Sequence, residues 1–404
     1  MKKLSLLFAA FLDRLSLAIA LVVFPPMFAD SSYAAMFGFV PSIAKPMLLG
    51  VTLAVYFVGQ FLSNGLFGRL SDSYGRKFVL MTTFTGSLVG FSLVALGIDL
   101  QWLSIVLLGR FLTGIFAANY AVALSSLSDT SAKQDRVHNF SLLEVAMSVG
   151  FICAGLVGGN LINSQVVSWF SYSIPFWTVA GLIAVNVVVL KLFFQETLHT
   201  PKLLGKINLL DGVTYLHKAF VSVHLRRIYL IWLLFAIGWQ SCLQFYSSLL
   251  LKFYGFAPKQ ISLVFMIMGG VFIVSQLILV KPAAKKRTSL LNLRWSMVFV
   301  SFAIGMLILA GSKVLVVAVL VLYTLSVGVV SPNMFSMVSN LAYHGEQGEA
   351  LGIMVTIKAM AVIIATLVGG ILMSQHVTYP FILGSLAALG SWVLLMFFKS
   401  NEEL

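Results

Sequence analysis

Of the 404 residues, 60% are hydrophobic and only 10% are charged, and the mean hydropathy is +1.00. Too few polar side chains remain to clothe a water-soluble globule, and the long apolar runs suit membrane helices of about 20 residues rather than barrel strands of about 10. The formal charge of +13 would suit a nucleic-acid binder, but the basic residues sit in short loops between apolar runs and no soluble basic domain exists, which excludes that reading.

The first run, "MKKLSLLFAAFLDRLSLAIA", imitates a secretory signal, with Lys2, Lys3 and an Ala18-Ile19-Ala20 site. Asp13-Arg14 interrupts it and the apolar stretch resumes through Phe28, so it reads as a first membrane helix carrying internal charge. Run length then predicts an all-α protein of twelve spans, at roughly 4–28, 46–68, 77–97, 101–126, 139–163, 171–194, 227–251, 259–280, 290–311, 313–341, 348–373 and 378–398. Between the sixth and seventh lies one long polar connection, giving an N-terminal six-helix bundle over 1–194, a linker over 195–226 and a C-terminal six-helix bundle over 227–404. The linker's "KINLLDGVTYLHKAFVSVHLRR" mixes apolar and basic residues at helical spacing. It fits either a helix lying on the anionic cytoplasmic leaflet or a solvated connection.

The halves read as copies. "FICAGLVGGNLI" in the fifth span answers "IIATLVGGILM" in the eleventh, aligning Gly158-Gly159 with Gly369-Gly370, and at the same offset Thr113 answers Thr324 and Arg76 answers Arg287. Parallel repeats of this kind place a substrate site at their interface near the bilayer midplane. With the N-terminus in the cytoplasm, 19 of the 26 Lys and Arg fall on that side, Lys45, Lys252, Lys259 and Lys313 fall outside, and Arg14, Arg110 and Lys358 lie within spans. This bias orients both termini to the cytoplasm.

The loop after the second span reads "GRLSDSYGRK". Its glycines suit a tight two-helix turn at positive backbone angles, Arg76 and Lys77 hold the turn in the cytoplasm, and Asp72 can pair with cations or helix N-terminal amides. This stretch resembles the loop of the major facilitator superfamily, G-x-x-x-D-[RK]-x-G-R-[RK], at Gly68, Asp72, Gly75, Arg76 and Lys77, and departs from it at Ser73. The resemblance implies a cytoplasmic gate in which Asp72 and Arg76 latch the two halves; without it the loop is a topology anchor. "GRFLTGIFAANYAVALSSLSD" followed by "DRVHNF" is similar to the tetracycline/proton antiporters and their drug:proton antiporter relatives, at Arg110, Gly114, Asp129 and Arg136. That likeness implies a gate role for Asp129 and Arg136 and a link between Arg110 and proton coupling. In the fifth span, "GFICAGLVGG" keeps Gly150, Gly158 and Gly159 of the antiporter pattern G-x-x-x-G-P-x-x-G-G but has Ala154 and Gly155 for its glycine and proline. The missing proline leaves both directions of transport open.

Asp13, Arg14, Arg110, Glu144 and Lys358 fall inside predicted spans. Desolvation makes each a functional candidate, and together they are the proton-coupling candidates. Asp13 and Arg14 diverge by about 100°, so they cannot be buried as one simple pair. Arg110 needs a partner or a water-filled cavity, and on an ideal helix it points about 180° from Asn119. Asp13 and Glu144 are either proton carriers or static counter-ions. The family's cavity-lining helices point to Trp239, Gln240, Gln244 and Asn333 as substrate contacts, together with Asp13, Arg14 and Lys358; interhelical hydrogen bonding accounts equally well for any single amide.

Cys153 and Cys242 lie in apolar segments and support neither a disulfide framework nor a metal site. The six histidines lie in loops or near span ends, and no phosphate-binding G-x-x-x-x-G-K-[ST] occurs. No cofactor, no metal and no enzymatic activity are therefore expected. The expected function is secondary active transport of a small organic molecule by alternating access, as proton-coupled export. Proton-coupled uptake of an organic anion, nutrient or metal-chelate is the alternative, and a lipid flippase or non-transporting membrane receptor is another. The expected setting is a bacterial inner membrane, as a monomer with protons, substrate and lipid as partners and no nucleic acid.

Overall fold

A chain this apolar must satisfy its backbone polar groups internally once it is in lipid, which long hydrogen-bonded helices achieve. The computed structural model describes residues 2–38, 41, 44–63, 66–130, 136–162, 167–198, 211–221, 225–280, 289–341 and 347–398, with no strand among them. The helices are α1 (Lys2–Ala29), α2 (Lys45–Ser63), α3 (Leu66–Tyr74), α4 (Arg76–Asp99), α5 (Leu103–Ile115), α6 (Asn119–Thr130), α7 (Arg136–Asn160), α8 (Ile174–Phe193), α9 (Asp211–Val221), α10 (Arg226–Lys252), α11 (Pro258–Val274), α12 (Ser289–Leu309), α13 (Lys313–Leu341), α14 (Gln347–Gln375) and α15 (Tyr379–Met396). A π-helical turn, Ser275–Val280, extends α11. Twelve segments are long and apolar enough to cross a bilayer, as the run lengths predict, with α5 and α6 sharing one of them.

Two predicted spans differ in detail. The second ends at Ser63, and residues 66–74 form the separate helix α3, so Gly68 and Asp72 lie on a helix and not in a loop. The fourth is broken at residues 116–118. There the Asn119 amide donates to the Phe116 carbonyl at 3.5 Å, offering that backbone group a partner other than the helical ladder. Phe116 itself fills the space beside Gly86, where a Cβ would come within 2.3 Å of its ring.

The chain divides into two compact units. Unit 1 comprises Met1–Lys45, Thr52–Gly212 and Ala257–Gly269; unit 2 comprises Pro46–Val51, Val213–Phe256 and Gly270–Leu404. In unit 1, α1 packs on α7 and α8, and α4 packs on α5 and α8. In unit 2, α10 packs on α14 and α15, and α12 packs on α13 and α15. In span order these are the same four pairings. The close approach of Gly158 to Val22 on α1 is repeated by Gly369 against Phe245 on α10, where an added Cβ would lie 2.7 Å and 2.3 Å from those side chains. Consistently, α1 and α10 are the most enclosed spans, with 61% and 67% of their most apolar stretches buried.

Candidate functional site

The charged stretch that ends in Gly75 folds as a latch within unit 1. Gly75 alone separates α3 from α4, at φ +104°, a conformation that other residues rarely adopt. Of the two glycines expected to make the turn, only Gly75 does so; Gly68 is exposed on α3, with nothing within 4 Å of where its Cβ would stand. The turn carries Arg76 back over α3. Its Nη1 donates to Asp72 Oδ1 at 2.6 Å and to Ser71 Oγ at 2.7 Å, while its Nε donates to Asp129 Oδ2 on α6 at 3.0 Å. Arg76 is only 7% exposed, so these charge-assisted bonds offset its desolvation. Lys77 Nζ donates to the Lys191 carbonyl at 3.0 Å. Arg136 opens α7, and its side chain lies outside the described residues.

Glu196 completes the latch. Its Oε1 accepts from the Arg76 N–H at 2.8 Å and its Oε2 from the Lys77 N–H at 3.0 Å, capping two of the donors that the start of α4 leaves unsatisfied. Oε1 also accepts from the N–H groups of Thr197 and Leu198. Burial opposes the charge on Glu196, but the Leu198, Arg76, Lys77 and Thr197 amides outweigh it and hold the carboxyl below its ordinary range. A Cβ on residue 75 would come within 2.4 Å of Glu196 Oε2, a second reason that glycine stands there.

Deeper in unit 1, Asp13, Ser16, Tyr56, Ser87, Thr113 and Asn119 line a cavity of about 10 Å³, close to the least that holds one water molecule. Asn119 Nδ2 donates to Asp13 Oδ1 at 3.3 Å, while Asn119 Oδ1 is buried without a hydrogen-bond partner. Asn119 opens α6 just after the break at 116–118, and Arg110 is not among the residues that line its cavity. Asn119 shares the cavity with Tyr56, whose ring also meets the Arg110 guanidinium.

Arg110 is 1% exposed, and its guanidinium stands 4.7 Å from the Tyr56 ring centroid and 5.6 Å from that of Phe24. Its Nε donates to the Thr52 carbonyl at 3.4 Å and its Nη1 has no hydrogen-bond partner. Aromatic faces therefore supply the partner expected for this cation. Glu144 accepts a short hydrogen bond from the Tyr120 hydroxyl. Within unit 1, neither Asp13 nor Glu144 comes within ion-pair distance of Arg14 or Arg110 among the described residues. Arg14 is half-buried beside Asp13.

Unit 2 gathers a different set. Lys358 Nζ on α14 lies 5.0 Å from the ring centroid of Trp239 on α10, and the Tyr323 hydroxyl holds the Trp239 carbonyl at 2.9 Å. Gln240 and Gln244 are 4% and 2% exposed; Gln244 Nε2 donates to Gln240 Oε1 at 3.3 Å, and Gln244 Oε1 has no partner. Asn333, also buried, spends its donor on the Val329 carbonyl of its own helix at 2.7 Å.

Sequence reasoning missed Glu196, Tyr56, Phe24 and Tyr120. Glu196 had a signal: it is the only acidic residue between Glu144 and Asp211, in a basic region beside a span end. The aromatic partners had none, because they are three among 33 Phe and 12 Tyr.

Against known proteins, a family model described as Major Facilitator Superfamily matches residues 6–366. The class H tetracycline resistance protein of Pasteurella multocida is 30% identical over 186 residues, covering 46% of this chain and 42% of that protein. The chain thus spans less than half the length of the tetracycline resistance relatives it matches. Multidrug resistance protein 2 of Bacillus subtilis (strain 168) is 22% identical over 374 residues, 90% of each chain. A D-xylose-proton symporter of known structure shares the fold, with a TM-score of 0.78 at 14% identity over 99% of this chain and 97% of that one. Twelve helical segments long and apolar enough to cross a membrane among the described residues, and a family match over residues 6–366, meet in one conclusion: the chain belongs to the major facilitator superfamily.

Proposed function

We propose that this chain exports a small organic molecule by proton antiport, its bundles at 1–194 and 227–404 alternating access to a site between the two membrane faces. The observation that carries this reading is the Asp13 cluster. A half-buried carboxylate on the most enclosed span of unit 1 is met by a neutral amide and a cavity of about one water, not by a cation at ion-pair distance. Such a group can exchange a proton with water without first breaking an ion pair. Arg110 on the Tyr56 face supports the reading, because its positive field reaches the same cavity wall. Export is favoured by likeness to tetracycline and multidrug resistance proteins.

Uptake of an organic anion, nutrient or metal-chelate by symport is the second reading. It is favoured by the missing proline of the fifth span and by three intramembrane cations, Arg14, Arg110 and Lys358, against two carboxylates. On either reading the latch lies on the cytoplasmic side, both termini face the cytoplasm, and a monomer in a bacterial inner membrane is the working unit.

The test is accumulation of labelled tetracycline-like drugs, dyes, organic acids and chelators in cells expressing the wild type or Glu144→Gln, with and without an uncoupler. Export predicts lower accumulation with the wild type, abolished by the uncoupler and by Glu144→Gln. Higher accumulation establishes uptake, and a flux indifferent to the uncoupler removes proton coupling. Flux of phospholipid analogues alone, or no flux of any compound, turns the reading to a flippase or a receptor.

A further inference from the structure

Helix α9 follows a different rule from the spans. Large apolar residues are among its exposed ones: Val213, Phe220 and Val221 are 50%, 53% and 62% exposed, beside the exposed Thr214, His217 and Lys218, while Ala219 is fully buried. At the helical angle per residue, Val213, His217, Phe220 and Val221 share a sector of about 100°, with Ala219 nearly opposite. The helix thus seats Ala219 on the protein and turns Val213, Phe220 and Val221 outward, with Leu216 half-buried at the edge of that sector. A face of this kind in water forgoes the free energy that burial of Val and Phe side chains would return.

Two further observations fix what covers it. Val221 precedes Arg226, the first residue of the seventh span, by five positions. That length of chain reaches at most about 17 Å, so the end of the apolar face lies close to the bilayer boundary. Its flanks are basic: Lys218, Arg226 and Arg227 are exposed. An apolar stripe bordered by cations at the membrane edge is the pattern of a helix lying in an anionic interface.

We propose that α9 docks on the bilayer surface, with Val213, Phe220 and Val221 inserted among the lipids and the flanking lysines and arginines on anionic headgroups. The occupant is lipid. The inference goes beyond the transport reading and needs neither a substrate nor a direction.

The full chain carrying Phe220→Cys and Cys153→Ser, with Cys242 buried and left in place, is labelled with an environment-sensitive fluorophore. It is then placed in nanodiscs of phosphatidylcholine alone or mixed with phosphatidylglycerol. In anionic discs, acrylamide quenching should fall by about threefold or more and quenching by spin-labelled lipid should appear. Val213→Asp with Val221→Asp should reverse both, and Arg226→Gln with Arg227→Gln should erase the difference between lipids. Hydrogen exchange of the unsubstituted chain in the same discs gives an independent comparison, with α9 amides slowed in anionic lipid. Equal acrylamide access in both lipids together with unchanged exchange overturns the proposal. So does protection that persists in detergent, which means that the face packs on the protein itself. Protection that grows with the number of protomers per disc assigns the face to a second copy and also overturns it.

Discussion

In unit 1 the most enclosed helix, α1, carries Asp13 and Arg14 in its membrane interior, and its neighbours add Arg110 and Glu144. In unit 2 the corresponding helix, α10, has no charged residue between Arg227 and Lys252 and offers Trp239, Gln240 and Gln244 instead. Both helices make the same pairings with the rest of their units. The repeat is therefore conserved in packing and divided in chemistry. Shape complementarity at Gly158 and Gly369 constrains both units alike, whereas the polar side chains differ, with Asp13, Arg14, Arg110 and Glu144 in unit 1 against Gln240, Gln244 and Lys358 in unit 2. On the proposed function, unit 1 couples and unit 2 selects.

The substitution expected to act most strongly is Asp13→Asn. It keeps the shape of the Asn119 contact and removes the titratable group, so gradient-driven transport should fall by about a hundredfold while binding changes by less than about threefold. Gln244→Leu should do the reverse, weakening binding and leaving the proton dependence intact. Parallel measurements of uphill flux and equilibrium binding check both. Uphill transport retained in Asp13→Asn would break the division of labour.

Next in size is Gly75→Ala. The positive φ of residue 75 and the 2.4 Å approach to Glu196 Oε2 both oppose a methyl group there, so the Arg76 contacts to Asp72 and Asp129 should loosen. Transport is expected to fall about tenfold with binding retained. A smaller effect follows from Lys358→Gln, which removes the cation held over Trp239. A cation–π contact of about 0.5–1 kcal/mol, the range for a half-exposed cation, corresponds to about two- to fivefold in KM. If an anionic substrate loses affinity while a neutral analogue does not, the role of unit 2 is sharpened to charge recognition.

The fold was legible because its cause is nearly one-dimensional: run length and loop charge decide which segments cross a bilayer. The repeat was legible through Gly158-Gly159 and Gly369-Gly370, since close helix approach leaves few residue choices. The site was legible only in its charges. Arg110 announced itself by its desolvation cost, but not that its partners are Tyr56 and Phe24, because ring faces come from any aromatic residue that packing brings near. The Asp13 to Asn119 bond was hidden for another reason. It joins residues 106 positions apart, just beyond a break at 116–118 that run length does not mark.

The smallest predicted effect belongs to Glu196, and it separates charge from shape at the latch. Four backbone N–H groups hold its carboxyl below the ordinary range. A carboxyl depressed in the folded state contributes stability that is fully present above the unfolded value, about 4.3, and is lost as pH falls through the lower folded value. The side chain is partly solvent-accessible, which limits the size of the term. Glu196→Gln keeps one acceptor oxygen and removes the charge that favours the start of α4. It should lower Tm by about 1–3 °C at neutral pH, and by progressively less below pH 4.3, until the two proteins unfold together. Thermal unfolding of both proteins in detergent across that range measures the gap. A gap that stays constant into acid would mean that Glu196 holds Arg76 and Lys77 by hydrogen-bond geometry alone.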